Sequence, residues 1–107
     1  MNHIGIKAIF KVTDGVTRQL LDLQSDLIAD ALINMEASAH EIGLKDSAVS
    51  VDFATNEVTI EVTMDHYGVP EGRAFGESCI NRAIQIAHKE TQVSEVMTHQ
   101  SADLVCA

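Results

Sequence analysis

The chain has 107 residues, 46% of them hydrophobic, with sixteen acidic side chains against seven basic ones and a formal charge of −9. That length makes one ordinary domain, residues 1–107, able to bury a two-layer core without disulfides or metal, and the apolar content excludes a disordered tail. The charge has the wrong sign for gripping a phosphate backbone. With no tryptophan and 4% aromatics there is little to stack nucleobases on, so direct nucleic-acid binding is not expected.

The first stretch, MNHIGIKAIFKV, alternates and carries Lys7 and Lys11. It has no continuous apolar run that would serve as a leader or a membrane span, so a cytoplasmic location and no membrane partner are expected. As an extended strand it places Ile4, Ile6, Ala8, Phe10 and Val12 on one side and Lys7, Ile9 and Lys11 on the other. Thr13, Asp14 and Gly15 break it. A helical pattern then runs from about Val16 to Ile42, with Leu20, Leu21, Leu23, Leu27, Ile28, Ala31, Leu32, Met35, Ala39 and Ile42 in one broad arc. Gly43 is expected to stop this helix.

The segment from Val49 to Thr63 alternates twice around a turn at Thr55 and Asn56. The pairing expected there sets Phe53 opposite Val58, Val51 opposite Ile60 and Val49 opposite Val62. The outward set is Ser50, Asp52, Glu57, Thr59, Glu61 and Thr63, so one sheet face meets helices and the other meets water or a partner. A second helix fits Glu71 to about Glu90, burying Phe75, Cys79, Ile80, Ala83, Ile84, Ile86 and Ala87. Alternation around Val93 to Thr98 suggests a fourth strand.

Strand, helix, strand, strand, helix, strand is the order of the ferredoxin-like βαββαβ plait, an α+β fold with a four-stranded antiparallel sheet and two helices on one face. The first and third strands would be its middle pair. Lys7 and Lys11 would then stand beside Glu57 and Glu61, opposite charges on neighbouring strands.

The segments AVSVDFATNEVTIEVTM and EGRAFGESCINRAIQIAHKETQ resemble the pattern of small, largely uncharacterised bacterial ferredoxin-like domains. The resemblance covers about the last two-thirds of the chain and rests on core positions, so it carries over no functional residue. Some such domains are similar to sensory or dimerisation modules placed beside a helix-turn-helix segment, for which this chain is expected to have no room after its last strand, so the resemblance carries over no DNA-binding role.

No spacing marks a catalytic site. Nucleophile-elbow, phosphate-loop and dinucleotide motifs are absent, and no cofactor is expected. Cys79 and Cys106 stand apart without metal-ligand spacing, and Cys79, inside the buried arc, reads as a small apolar residue rather than a nucleophile. Glu36 and His40 stand four apart on the first helix, but nothing completes a metal shell around them, and a surface ion pair is the simpler reading. The stretch HYGVPEGR would form an anion or ligand loop through His66, Tyr67 and Arg73 at a helix start, although Pro70 and Glu71 also mark an ordinary first turn. Asp22, Asp26 and Asp30 recur every four residues and make an acidic ridge, fit either for solubility or for steering a partner.

The function expected from these features is a non-enzymatic module that binds a protein partner or forms a homodimer. Two alternatives stay open. One is a dimeric α+β barrel protein that binds or acts on a small organic molecule, which would show a cavity lined by His66, Tyr67 or His99. The other is an acidic inhibitor or decoy of a nucleic-acid-binding protein.

Overall fold

The structure is a computed structural model that describes residues 3–38, 43–65, 68–93 and 96–106. Its elements are β1 (His3–Val12), α1 (Arg18–Ala37), β2 (Leu44–Asp52), β3 (Glu57–Asp65), α2 (Val69–Thr91) and β4 (Met97–Cys106). They form one antiparallel sheet in the order β2-β3-β1-β4, with both helices packed on one face. This is the ferredoxin-like plait.

β1 divides its residues as its alternation requires, with Ile4, Ile6, Ala8, Phe10 and Val12 all buried. Lys7 pairs with Glu61 and Lys11 with Glu57 across β1 and β3, so the opposite charges meet on the open face. Lys11 Nζ also donates to the Thr55 carbonyl at 2.6 Å, tying the strand to the neighbouring turn.

The β2–β3 hairpin differs from the expected register by two residues: Val51 pairs with Val58 and Val49 with Ile60. The turn begins one residue earlier than its sequence suggests. Asp52 Oδ1 accepts the backbone N–H groups of Ala54 at 2.9 Å and Thr55 at 3.3 Å, so the chain turns immediately after Asp52. Phe53 is thereby drawn out of the strand to 38% exposure, where the Arg18 guanidinium stacks 4.0 Å from its ring centre. A slip of two preserves parity, so Val58, Ile60 and Val62 stay buried and the face assignments survive.

α1 starts cleanly, with Thr17 Oγ1 accepting the Leu20 N–H at 3.1 Å. It closes at Ala37 rather than at Gly43, because Ser38 turns extended and gives its N–H back to the Met35 carbonyl at 3.0 Å. Ala39, His40 and Ile42 lie outside the described residues. One position of the expected arc is corrected. Leu23 is 49% exposed, and Gln24 is buried in its place at 1%.

Gln24 is held by a polar relay between the helices. Its Nε2 donates to Thr91 Oγ1 at 2.5 Å, and Thr91 Oγ1 donates to the Ala87 carbonyl at 2.9 Å. Gln24 Oε1 is buried with no hydrogen-bond partner among the described residues. Replacing the amide with a similar apolar volume removes that orphan acceptor, which costs about 1–3 kcal/mol, while Thr91 keeps its bond to Ala87. Gln24→Leu is therefore expected to match or exceed the parent stability in urea titration, whereas Gln24→Ala, leaving a cavity, loses about 2–3 kcal/mol.

α2 extends from Val69 to Thr91, slightly beyond its expected ends, with a proline in its first turn and Gln92 left-handed at its close. Cys79, Ile80, Ala83 and Ala87 face the core as expected. Ile86 does not, and is 43% exposed. Gly76 lies where α2 presses on the sheet: a Cβ there would be 2.6 Å from Ile6 Cδ1 and 2.7 Å from Met64 Cε.

The fourth strand lies later than its alternation suggests, over Met97–Cys106 instead of Val93–Thr98. An irregularity hides it. Ile9 pairs with Ser101 but Phe10 with His99, so Gln100 is unmatched and the strand shifts phase there.

Candidate functional site

That phase shift builds a cavity. In a regular strand His99 and Ala102, three residues apart, would point to opposite faces; with Gln100 as the extra residue, both pair with inward positions of β1. Ala102 pairs with Ala8 and His99 with Phe10. Two methyl groups side by side leave room under α2 that larger side chains at these two positions would fill. The result is a cavity of about 320 Å³ lined by Ala8, Phe10, Glu77, Ile80, Asn81, His99 and Ala102.

Its floor is apolar and its rim polar. Glu77, Ile80 and Asn81 stand at helical spacings of three and four, so they present one side of α2 to the strands. The His99 ring meets the edge of Phe10 with centroids 5.2 Å apart and planes at 68°, an edge-to-face contact that orients the imidazole. Arg73, one turn before Glu77, donates from Nε to Glu77 Oε1 at 3.2 Å and from Nη2 to the Ala102 carbonyl at 3.4 Å. It links α2 to β4 at the cavity's edge.

This arrangement changes the reading of the expected anion loop. His66 and Tyr67 lie outside the described residues. Arg73 is engaged with Glu77 and Ala102. A Cβ on Gly68 would lie 2.7 Å from Glu71 Oε2, so the Glu71 carboxylate already covers the start of α2, where an anion would bind. His99, which carries no sequence motif, joins the cavity only because of the strand irregularity.

Asp22, Asp26 and Asp30 are all exposed on the outer side of α1, away from the cavity. Ile33, seven residues beyond Asp26 and so on the same side, is 57% exposed. Like charges four apart oppose each other by about 0.2–0.5 kcal/mol per pair, and Asp26 makes two such pairs. Asp26→Lys is expected to raise stability by about 1–2 kcal/mol in chemical denaturation, because it turns two repulsions into attractions. An unfolded variant would contradict the exposure of that side chain.

No family model matches the chain, and neither does any curated protein. Solved structures resemble it in fold. A dimeric ferredoxin-like protein of unknown function from Thermobifida fusca superposes with a TM-score of 0.54 at 18% identity, over 97% of this chain and 88% of that one. A dimeric protein of unknown function and ferredoxin-like fold from Bacteroides fragilis gives 0.53 at 15% identity, over 98% and 94%. A protein from Chloroflexus aurantiacus, provisionally described as an antibiotic biosynthesis monooxygenase, gives 0.53 at 15% identity, over 98% and 92%. Identities this low establish the ferredoxin-like fold. No helix among the described residues is long and apolar enough to cross a membrane.

Proposed function

We propose that this chain works as a homodimer in which each copy holds a small, largely apolar organic molecule between α2, β1 and β4. The cavity carries the reading, because it joins an apolar floor to a rim of three polar side chains, Glu77, Asn81 and His99, the usual composition of a small-molecule site. The dimeric state of the Thermobifida and Bacteroides proteins supports the assembly, and the description of the Chloroflexus protein supports a small-molecule role.

The direct test uses 3-phenylpropan-1-ol, an apolar body with an uncharged polar end. Saturation-transfer NMR should detect its binding to the parent protein and lose it in Ala102→Leu, whose added carbons fill the space beside Ala8. Equal binding to both proteins would remove the cavity from the proposal.

A second reading assigns the outer side of α1 to a basic protein partner, and with it the inhibitor or decoy role. The exposure of Leu23 and Ile33 beside the acidic ridge favours it, since apolar anchors ringed by charge suit a protein contact. Steering by the ridge would slow sharply with added salt and in Asp26→Lys.

A further inference from the structure

We infer that the cavity between α2, β1 and β4 selects organic cations, primary amines carried on an apolar body, over carboxylates of the same shape. The inference rests on the small-molecule reading of that cavity and adds the charge of its ligand.

Only one half of an ion pair faces the space. Glu77 lines the cavity and Arg73 does not, although the two side chains are joined. Their contact is a single one, Arg73 Nε to Glu77 Oε1, rather than a two-point fork, so Oε2 is not used by the guanidinium. Arg73 spends a second nitrogen on the Ala102 carbonyl, which directs that group toward the strand backbone. A ligand ammonium can share the carboxylate with Arg73, and Asn81 and His99 can each accept one of its remaining N–H bonds. A ligand carboxylate would instead lie against Glu77, with Asn81 and His99 as its donors and two Arg73 nitrogens already committed. The charge of −9 over the whole chain adds to the bias, since it raises the local concentration of cations.

Size agrees with this class. A phenylpropyl body with one polar end has about ten non-hydrogen atoms, within the range that a cavity of about 320 Å³ accepts, and the ring would lie on Ala8, Phe10, Ile80 and Ala102.

Three probes of one shape separate charge from fit: 3-phenylpropylamine, 3-phenylpropan-1-ol and 3-phenylpropanoate, each titrated into the full chain by calorimetry. Because Glu77 is 41% exposed, the preference is set by a partly solvated charge: the amine should bind about fivefold tighter than the alcohol, and the alcohol about fivefold tighter than the acid. Glu77→Gln should abolish the preference for the amine while the alcohol binds as before. Arg73→Gln, which frees the carboxylate, should tighten the amine further. An acid that binds as well as the amine would overturn the inference, and so would an order unchanged in Glu77→Gln, which would trace the preference to the general acidity of the surface. In either case binding of the alcohol, lost in Ala102→Leu, would leave the cavity assignment standing. If none of the three binds, cavity and selectivity fall together.

Discussion

Gly76→Val is expected to lower the stability of the fold by about 3 kcal/mol, through overpacking where α2 presses on the sheet. The added Cβ alone would meet Ile6 Cδ1 at 2.6 Å and Met64 at 2.7 and 2.9 Å, and both side chains are fully buried. Alanine is a milder test. The tips of Ile6 and Met64 are the ends of flexible side chains, and alanine gains about 1 kcal/mol of helix propensity over glycine, so Gly76→Ala should change stability little. Valine adds two methyl groups that have nowhere to go. The cause is checked by coupling: Met64→Ala alone should cost about 2–5 kcal/mol, but in the double variant the two losses should sum to less than their separate values. Strict additivity would mean that Gly76 and Met64 do not share the space that the structure gives them.

In the homodimer proposed above, with two copies meeting through their open sheet faces, Ile9→Lys should give a monomer without unfolding it. Ile9 lies half-buried on the open face of the sheet, flanked across the ladder by Thr59 on β3 and Ser101 on β4. Around it stand Lys7 and Lys11 with their partners Glu57 and Glu61, a mixed-charge surface that can be self-complementary when two copies meet about a two-fold axis. In the monomer a lysine at position 9 reaches water easily and costs at most about 1 kcal/mol of strand preference. In a face-to-face dimer the same charge would be buried without a partner, a penalty of several kcal/mol, so the dissociation constant should rise about 100-fold or more. Sedimentation velocity across micromolar concentrations reads the mass, and circular dichroism reads the fold. A parent protein that sediments as a monomer, or a variant that remains a dimer, would exclude the sheet face as the interface.

Which parts of this molecule were legible in its sequence follows from which forces are local. Alternation in β1 and β3 and the helical stripes of α1 and α2 report side-chain burial one residue at a time, so Ile4, Ile6, Val58, Ile60, Cys79 and Ala83 could be assigned to the core directly. The pairing of Lys7 with Glu61 and Lys11 with Glu57 was legible for a related reason: once strand order is inferred, opposite charges mark neighbours. Gln24 and Leu23 exchanged places because helix phase read from apolarity ignores a buried polar relay, and the Thr91 hydroxyl that satisfies Gln24 is 67 residues away.

Of the candidate site such reasoning reached only His99, named as a lining residue of a small-molecule cavity. The site's residues come from β1, α2 and β4, and none is marked by a motif. The signal is negative: alanine at positions 8 and 102, and a histidine in a strand whose alternation is broken. The amino-acid sequence by itself determined the order of elements, the acidic surface and the two-layer core, since periodic burial and net charge depend on neighbours close along the chain. Only the tertiary structure decided the hairpin register, the end of α1 and the cavity. Each depends on where a few backbone groups find their partners: the Ala54 and Thr55 N–H groups on the Asp52 carboxylate, the Ser38 N–H on Met35, and Gln100 left unmatched so that His99 pairs with Phe10.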